Sequence, residues 1–527
     1  MAISDPIKVG LASGWKHINA STLVTDTHLE ADVVIVGTGA GGGTAAEILT
    51  QAGLSVIMVE GGALKSSSHF DMEERTAYPN LYQQAAAMKT ADKGIGIFQG
   101  RSVGGSTTIN WTTSIRTPEP TLAYWAAKKS VQGLSGDELK PWFEKMEQRL
   151  NISEWTYEPN KNNAVLKQGC EALGWEYTVI KRNVSGCWNT GYCGMGCPVN
   201  AKQSMLVTTI PSALEQGATL VSQAKVIDLQ HDDNKVSGLT AIAQTQLGKP
   251  LTTKIHFHAK HYVLSAGAIH TPSILMRAQT PDPYQLLGRT FLHPSLLSGA
   301  LFDEQVNGHN GAPQSIYSDQ FVWPQGDPNK MGYKLESAPV HPVLIASKTI
   351  GYGESHAQLM ENFNRIQVLV ALVRDGFNPD TMGGQVHLTD NGFNLDYPLT
   401  DTFWNTARNA YLSMAELQFA AGAKQVLPMN DGLVFQSSWQ QAKQTIENMD
   451  LALLKTIVAS AHVMGGCPMG EDKSQSMIDS YGNSHYLENL SVFDGSMFPT
   501  SLGANPQLSI YGIVARNATE LARRLKV

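Results

Sequence analysis

Residues 31–62, ADVVIVGTGAGGGTAAEILTQAGLSVIMVEGG, decide the fold. Residues 32–36 are a short β-branched run, as a buried parallel strand requires. Gly37-x-Gly39-x-x-Gly42 follows at once. In such a turn the first glycine permits the tight bend, the second lets the backbone approach a pyrophosphate, and the third lets helix and sheet pack closely. The unpartnered N–H groups at the helix start favour phosphate charge. Residues 44–52 continue as a helix ended by Gly53, and residues 54–59 read as the second strand. Glu60 then stands where a carboxylate accepts hydrogen bonds from both ribose hydroxyls, which favours an unphosphorylated adenosine. A glycine motif alone is a weak signal. The complete strand–turn–helix–strand–acid series reads as dinucleotide binding, and it leaves nicotinamide and flavin both open.

The 527 residues suffice for about three domains. A net charge of −7 without a basic cluster argues against nucleic acid as the main partner. No apolar run approaches the roughly 18 residues needed to span a bilayer. The first 21 residues lack the apolar middle of a signal peptide, so cytoplasm is the expected location, with peripheral membrane contact left open. Five cysteines, an odd count, argue against a disulfide framework.

The pattern along the chain is α/β with an insertion. An N-terminal extension is expected along the surface, and the dinucleotide unit begins near residue 30. Residues 118–183 read as helices and loops, with Trp125, Trp142, Phe143 and Leu150 as core contacts. Residues 218–243 and 254–266 read as strands and turns, leading into a helix at Gly267. From about residue 290 the character changes: residues 332–340, 343–347 and 366–373 read as strands. Residues 385–388 and 393–397 flank Asp390-Asn391-Gly392, a hairpin signal because Asn-Gly tolerates positive φ. Residues 402–421 carry Phe403, Ala407, Ala410, Met414 and Leu417 on one helical face, ended by Gly422. Short strands return after residue 460, then a C-terminal helix over residues 507–525. The expected organisation is a Rossmann-like domain in three parts (30–117, 201–290 and 460–527). A helical and cysteine-loop segment (118–200) and an α+β substrate domain on an antiparallel sheet (291–459) interrupt it.

Four separated motifs resemble the glucose–methanol–choline (GMC) oxidoreductases, which are FAD enzymes, and most closely their long-chain alcohol oxidase and bacterial alcohol dehydrogenase branch. Residues 37–42 with Glu60 match the adenosine end. Residues 100–110, GRSVGGSTTIN, match the first family signature, and Gly267-Ala268-x-x-Thr271-Pro272 begins the second, although Arg277-Ala278-Gln279 replaces its usual Ser-Gly pair. Residues 462–470, HVMGGCPMG, resemble the block with the catalytic histidine, which is His462 here. Asn505-Pro506-Gln507 resembles the second catalytic block, and Asp494-Gly495 the segment beside the flavin's ribityl–pyrophosphate region. The resemblance implies a cofactor set of Gly37, Gly39, Gly42, Glu60, Gly61, Arg101, Gly104, Gly105, Ser106 and Asn110. It further implies Val226, Ala266, Asp494, Gly495, Asn505 and Pro506. Ile109 occupies the place where some members attach flavin through histidine, so FAD is expected to be noncovalent.

The implied reaction is oxidation of a hydrophobic primary alcohol by hydride transfer to flavin N5. Neutral imidazole suits removal of the hydroxyl proton, and an amide at Asn505 can hold the alcohol oxygen without competing for that proton. The expected acceptor is oxygen, a quinone or a cytochrome. His293 reads as structural at the domain junction, and His270 as a helix-start residue without chemistry. Cys187, Cys193 and Cys197 resemble the structural cysteine–glycine loop of the alcohol-oxidase branch. They leave a zinc site one ligand short, so no metal is expected, with an iron–sulfur cluster as in some sugar dehydrogenases as the alternative. Two further alternatives are a lyase on the same fold and a nicotinamide dehydrogenase. The latter gives residues 100–110 no role.

Overall fold

A computed structural model describes residues 4–349, 351–390 and 392–526. The β-branched run after residue 26 lies in strand Thr27–Val36, at the centre of an eight-stranded sheet. Its order is Lys16–Asn19, Thr219–Ser222, Val56–Val59, Thr27–Val36, Pro250–Leu264, Lys235–Gln244 and Ala224–Asp232. The first five strands pair in parallel, and the last three form an antiparallel meander. Leu490–Val492 pairs in parallel with the end of Pro250–Leu264, so the sheet is closed by residues from near the C-terminus. The N-terminal extension is more than a surface strap, because Lys16–Asn19 supplies an edge strand through its register with Thr219–Ser222.

Helix Ala40–Gln51 begins four residues earlier than the helical pattern suggested, directly from the glycine turn. The C-terminal helix Gln507–Leu525 packs across it and across Gly136–Arg149. Trp125, Phe143 and Leu150 are fully buried there, while Trp142 is half-buried.

The second large sheet runs Ile95–Ile97, Val458–Ser460, Ser295–Leu301, Ile366–Val373, Tyr333–Ser337, Ile316–Phe321 and Thr178–Val179. It is antiparallel except where Val458–Ser460 meets Ile95–Ile97. Segments from before residue 291 therefore supply both of its edges, which the sequence pattern did not suggest. Helix Asp401–Ala420 covers one face with Phe403, Ala407, Ala410, Met414 and Leu417, all buried. Strands Gly384–Thr389 and Gly392–Asp396 pair as a hairpin in a smaller sheet, and Asn391 itself lies outside the described residues.

Residues 343–347 correct an expectation, since they belong to helix Pro342–Lys348 rather than to a strand. Proline at the first turn suits a helix start. The Glu74 carboxylate accepts the N–H groups of Val343 at 2.6 Å and Leu344 at 2.8 Å. A cap supplied from 270 residues away overrides the β-branched local preference. Among the described residues no helix is long and apolar enough to cross a membrane.

Candidate active site

A cavity of about 870 Å³ lies between the two large sheets. That volume is of the size that holds a cofactor or ligand. One end is built from the glycine turns. Gly37 has φ +95°, and a Cβ there would meet the Ser265 carbonyl oxygen at 2.2 Å. Gly39 lines the cavity, and a Cβ there would meet only the Gly105 Cα, at 4.0 Å, so the protein itself leaves the backbone free to approach a pyrophosphate. Gly42 does not line the cavity: a Cβ would sit 2.0 Å from the Gly37 carbonyl oxygen, so its role is close packing behind the wall. Gly104 is likewise behind the wall, where its N–H donates to Thr38 Oγ1 at 3.0 Å. Gly105 lies back to back with Gly39, its ideal Cβ only 2.8 Å from the Gly39 Cα. Ser106 Oγ accepts the Gly100 N–H at 2.9 Å and closes the second turn.

Glu60 is buried at the end of Val56–Val59. Oε2 accepts from Thr38 N–H (3.1 Å) and Thr38 Oγ1 (2.7 Å), and Oε1 accepts from Gly62 N–H (2.8 Å). Each oxygen has two lone pairs, so Oε1 retains one for a ribose hydroxyl. Burial pushes the carboxyl pKa up, against these hydrogen bonds and the nearby Arg101 charge. Glu60→Gln is expected to weaken FAD binding by about 1.5–3 kcal/mol, or roughly 10- to 150-fold, in titrations of apoprotein. Turnover with saturating FAD should change far less. Unchanged affinity would remove Glu60 as the ribose ligand.

Gly61, Val226 and Ala266 also line this end of the cavity, as do Asp494, Gly495 and Pro506. Asp494 is committed to the scaffold. It accepts from Gly267 N–H (2.8 Å), Thr271 Oγ1 (2.6 Å) and Ser496 N–H (2.7 Å), pinning the helix that starts at Gly267. Arg101 donates to the carbonyls of Gln246 (3.1 Å) and Pro79 (3.3 Å), and its buried Nη1 has no protein partner. Asn110 donates to Gln507 Oε1 at 2.5 Å, and its buried Oδ1 is also unpartnered. Buried polar atoms are normally satisfied. These orphans, beside an open glycine cradle and an available ribose acceptor, fit a bound dinucleotide.

His462 and Asn505 meet farther along the cavity, Nε2 to Nδ2 at 3.4 Å. Burial and the charge of Lys334 push the His462 pKa down to about 4, so the imidazole is neutral at ordinary pH. His293 was expected only to hold the junction, yet its Nδ1 lies 3.4 Å from His462 Nδ1. The sequence reading missed Glu336, which is fully buried and lines the same cavity. Its Oε2 accepts from Gln314 Nε2 (2.5 Å) and Asn505 Nδ2 (3.3 Å). The available signal was two charged residues, Lys334 and Glu336, alternating inside a buried strand. His270 lines the cavity edge-on to Phe393 and is held neutral by burial.

The cysteine loop is tied to the signature loop by Lys202, which is 3% exposed. Its ammonium donates to the carbonyls of Thr108 (2.5 Å), Cys193 (2.7 Å) and Asn110 (3.0 Å). All five cysteines are free thiols, and among the described residues no group of three or more His, Cys, Asp or Glu is placed to hold a metal ion.

Two family models, both described as GMC oxidoreductase, match residues 78–295 and 380–513. The chain belongs to the GMC oxidoreductase family. It is an FAD-dependent alcohol oxidoreductase, with a Rossmann-like FAD domain and a substrate domain. A GMC-type oxidoreductase of Sinorhizobium fredii is 29% identical over 94% of this chain and 95% of its own length. A long-chain-alcohol oxidase of Arabidopsis thaliana is 26% identical over 95% of this chain and 68% of its own. The fold is shared with a formate oxidase of Aspergillus oryzae (TM-score 0.67, 14% identity, 95% of this chain and 99% of the other). It is also shared with a pyridoxine 4-oxidase (TM-score 0.66, 16% identity, 93% of this chain and 98% of the other).

Proposed function

We propose that this GMC enzyme oxidises a hydrophobic primary alcohol, aliphatic or aromatic, to the aldehyde, using noncovalently held FAD. One observation carries the reading: His462 and Asn505 meet in a cavity that is lined both by the glycine turns and by one apolar cluster of Leu297, Ile345, Val370 and Leu372. An alcohol with an apolar chain would place its hydroxyl at the two polar groups and its body among the aliphatic side chains. His462 accepts the hydroxyl proton, and Asn505 holds the oxygen so that the α-hydrogen is aligned. Bound FAD supplies the hydride acceptor. The resemblance to long-chain-alcohol oxidases supports the apolar substrate. Ile109 lines the cavity and carries no nucleophile, which supports noncovalent FAD.

The purified protein should be yellow and release FAD into the supernatant on acid precipitation. Flavin retained in the precipitate would overturn noncovalent binding. Under anaerobic conditions 1-decanol or benzyl alcohol should bleach the flavin while glucose leaves it oxidised. Bleaching by glucose alone would reverse the substrate assignment, and a flavin that no alcohol bleaches would favour a lyase. Repeating the assay in air assigns the acceptor: peroxide identifies oxygen, and dependence on an artificial acceptor identifies a quinone or cytochrome.

A further inference from the structure

The two ring nitrogens of His462 have neighbours that demand opposite tautomers. On one side the Gly503 N–H donates to His293 Nε2 at 2.9 Å. That nitrogen bears a lone pair, so neutral His293 carries its hydrogen on Nδ1. This hydrogen faces His462 Nδ1 across 3.4 Å. From this side, His462 is driven to accept at Nδ1 and to carry its own hydrogen on Nε2. An Nε2–H cannot take a proton from an alcohol.

On the other side Asn505 Nδ2 has two hydrogens. It lies 3.3 Å from Glu336 Oε2 and 3.4 Å from His462 Nε2. One hydrogen directed to Glu336 leaves the other facing Nε2, where it favours a lone pair. Asn505 Oδ1 and Glu336 Oε1 are buried without protein partners, so nothing else fixes the amide in this sense.

We propose that Glu336 is a positioning residue: its ionised carboxylate takes one Asn505 Nδ2 hydrogen, so that the other favours a lone pair on His462 Nε2 in the free enzyme and turns to the alcohol oxygen when the hydroxyl enters between the two side chains. The proposal deepens the reading of His462 as proton acceptor and rests on it. Hydrogen bonds to an ionised acceptor are roughly twice as strong as neutral ones. The Glu336 side therefore prevails, and the long contact between the two histidine rings is the one left unmatched. Protonation of Glu336 reverses the arrangement. The carboxyl then donates to Asn505 Oδ1 in a turned amide, and that oxygen also accepts from His462 Nε2–H. Every donor back to Gly503 is then matched, and the base is disabled.

The setting of Glu336 places this switch in an accessible range. Burial raises its pKa to about 7, against the Lys334 ammonium on the same strand and the amides of Asn505 and Gln314. Asp319, on the neighbouring strand, is ion-paired to Lys334 and pushes the other way. His462 stays neutral down to about pH 4, and burial likewise keeps His293 neutral. Lowering the pH through the neutral range therefore charges neither ring, and within this network of His293, His462, Asn505 and Glu336 only the carboxyl changes state.

Nitrogen-15 NMR of histidine-labelled holoenzyme, with His462 assigned by signal loss in His462→Ala, reads the tautomer directly. At about pH 8.5, His462 Nε2 should be bare and Nδ1 protonated, and at about pH 5.5 the two should exchange. Glu336→Gln should hold one tautomer at both pH values. Anaerobic flavin reduction by benzyl alcohol should rise with pH through about 7 in the natural enzyme. In Glu336→Gln it should be about 10- to 100-fold slower at high pH and lack that inflection. The same His462 tautomer at both pH values in the natural enzyme, or an inflection that survives in Glu336→Gln, would overturn the proposal. The NMR readout needs no substrate. A Glu336-dependent tautomer in an enzyme that benzyl alcohol does not bleach would sustain the switch while refuting the alcohol reading.

Discussion

His462→Ala is expected to slow anaerobic flavin reduction by about 10²- to 10⁴-fold, or roughly 2.7–5.5 kcal/mol of barrier, with FAD still bound. His462 comes from the loop after Val458–Ser460, and its ring nitrogens meet Asn505 and His293 rather than the glycine turns or Glu60, so its removal should spare cofactor affinity. Asn505→Ala should also impair reduction, since an alcohol held less well loses its alignment. The double variant should lose less than the sum of the two, because both groups act on one hydroxyl. Since His462 is neutral above about pH 4 and its accepting tautomer depends on ionised Glu336, the deficit of His462→Ala should be full at high pH and shrink as the pH falls through about 7. Stopped-flow spectroscopy isolates this step from reoxidation. A His462→Ala enzyme that bleaches at the natural rate across pH would place the base elsewhere.

The second large effect is on stability. Lys202→Met would strip the donor from three carbonyls, the buried one of Thr108 and the part-buried ones of Asn110 and Cys193. One orphaned buried acceptor costs about 1–3 kcal/mol, and the relief of the desolvated ammonium offsets what the two part-buried carbonyls lose, so about 1–3 kcal/mol is expected in total. For a cooperative unit of 150–250 residues that corresponds to a Tm lower by roughly 2–12 °C. Thr108 and Asn110 belong to the turn against the cofactor cavity, so the variant should also shed FAD during gel filtration. An unchanged Tm with full FAD content would mean that the cysteine loop does not brace the signature loop.

Local pattern made the dinucleotide end legible, because its glycines recur at a fixed short spacing between strand and helix, although the Ser265 carbonyl that crowds Gly37 is distant in sequence. The C-terminal helix and strand Ile366–Val373 were equally readable, the first from its helical periodicity and the second as an almost continuous apolar run. Helix Pro342–Lys348 was misread because Glu74, far off in sequence, satisfies its first N–H groups. Glu336 and His293 were missed for a related reason. Their importance lies in contacts of Glu336 with Asn505 and of His293 with His462, each across 169 positions of chain, and no spacing rule in a single sequence encodes such contacts. Gly42 and Gly104 show the converse, with motif positions kept for packing behind the site rather than for touching a ligand.

The cofactor sheet begins at Lys16 and is completed at Val492. On a ribosome adding about 5–20 residues per second, roughly half a minute to a minute and a half separates its first strand from its last. For about the last 11–45 s of that interval, strand Pro250–Leu264 waits with the edge that Leu490–Val492 will occupy still open, and most of the substrate sheet emerges meanwhile. The nascent chain must therefore keep an unfinished parallel sheet from pairing with a neighbour, and its affinity for FAD should appear late and abruptly. Truncation before residue 490 would leave a protein whose phosphate turn is intact in sequence and whose flavin has no finished wall to rest against.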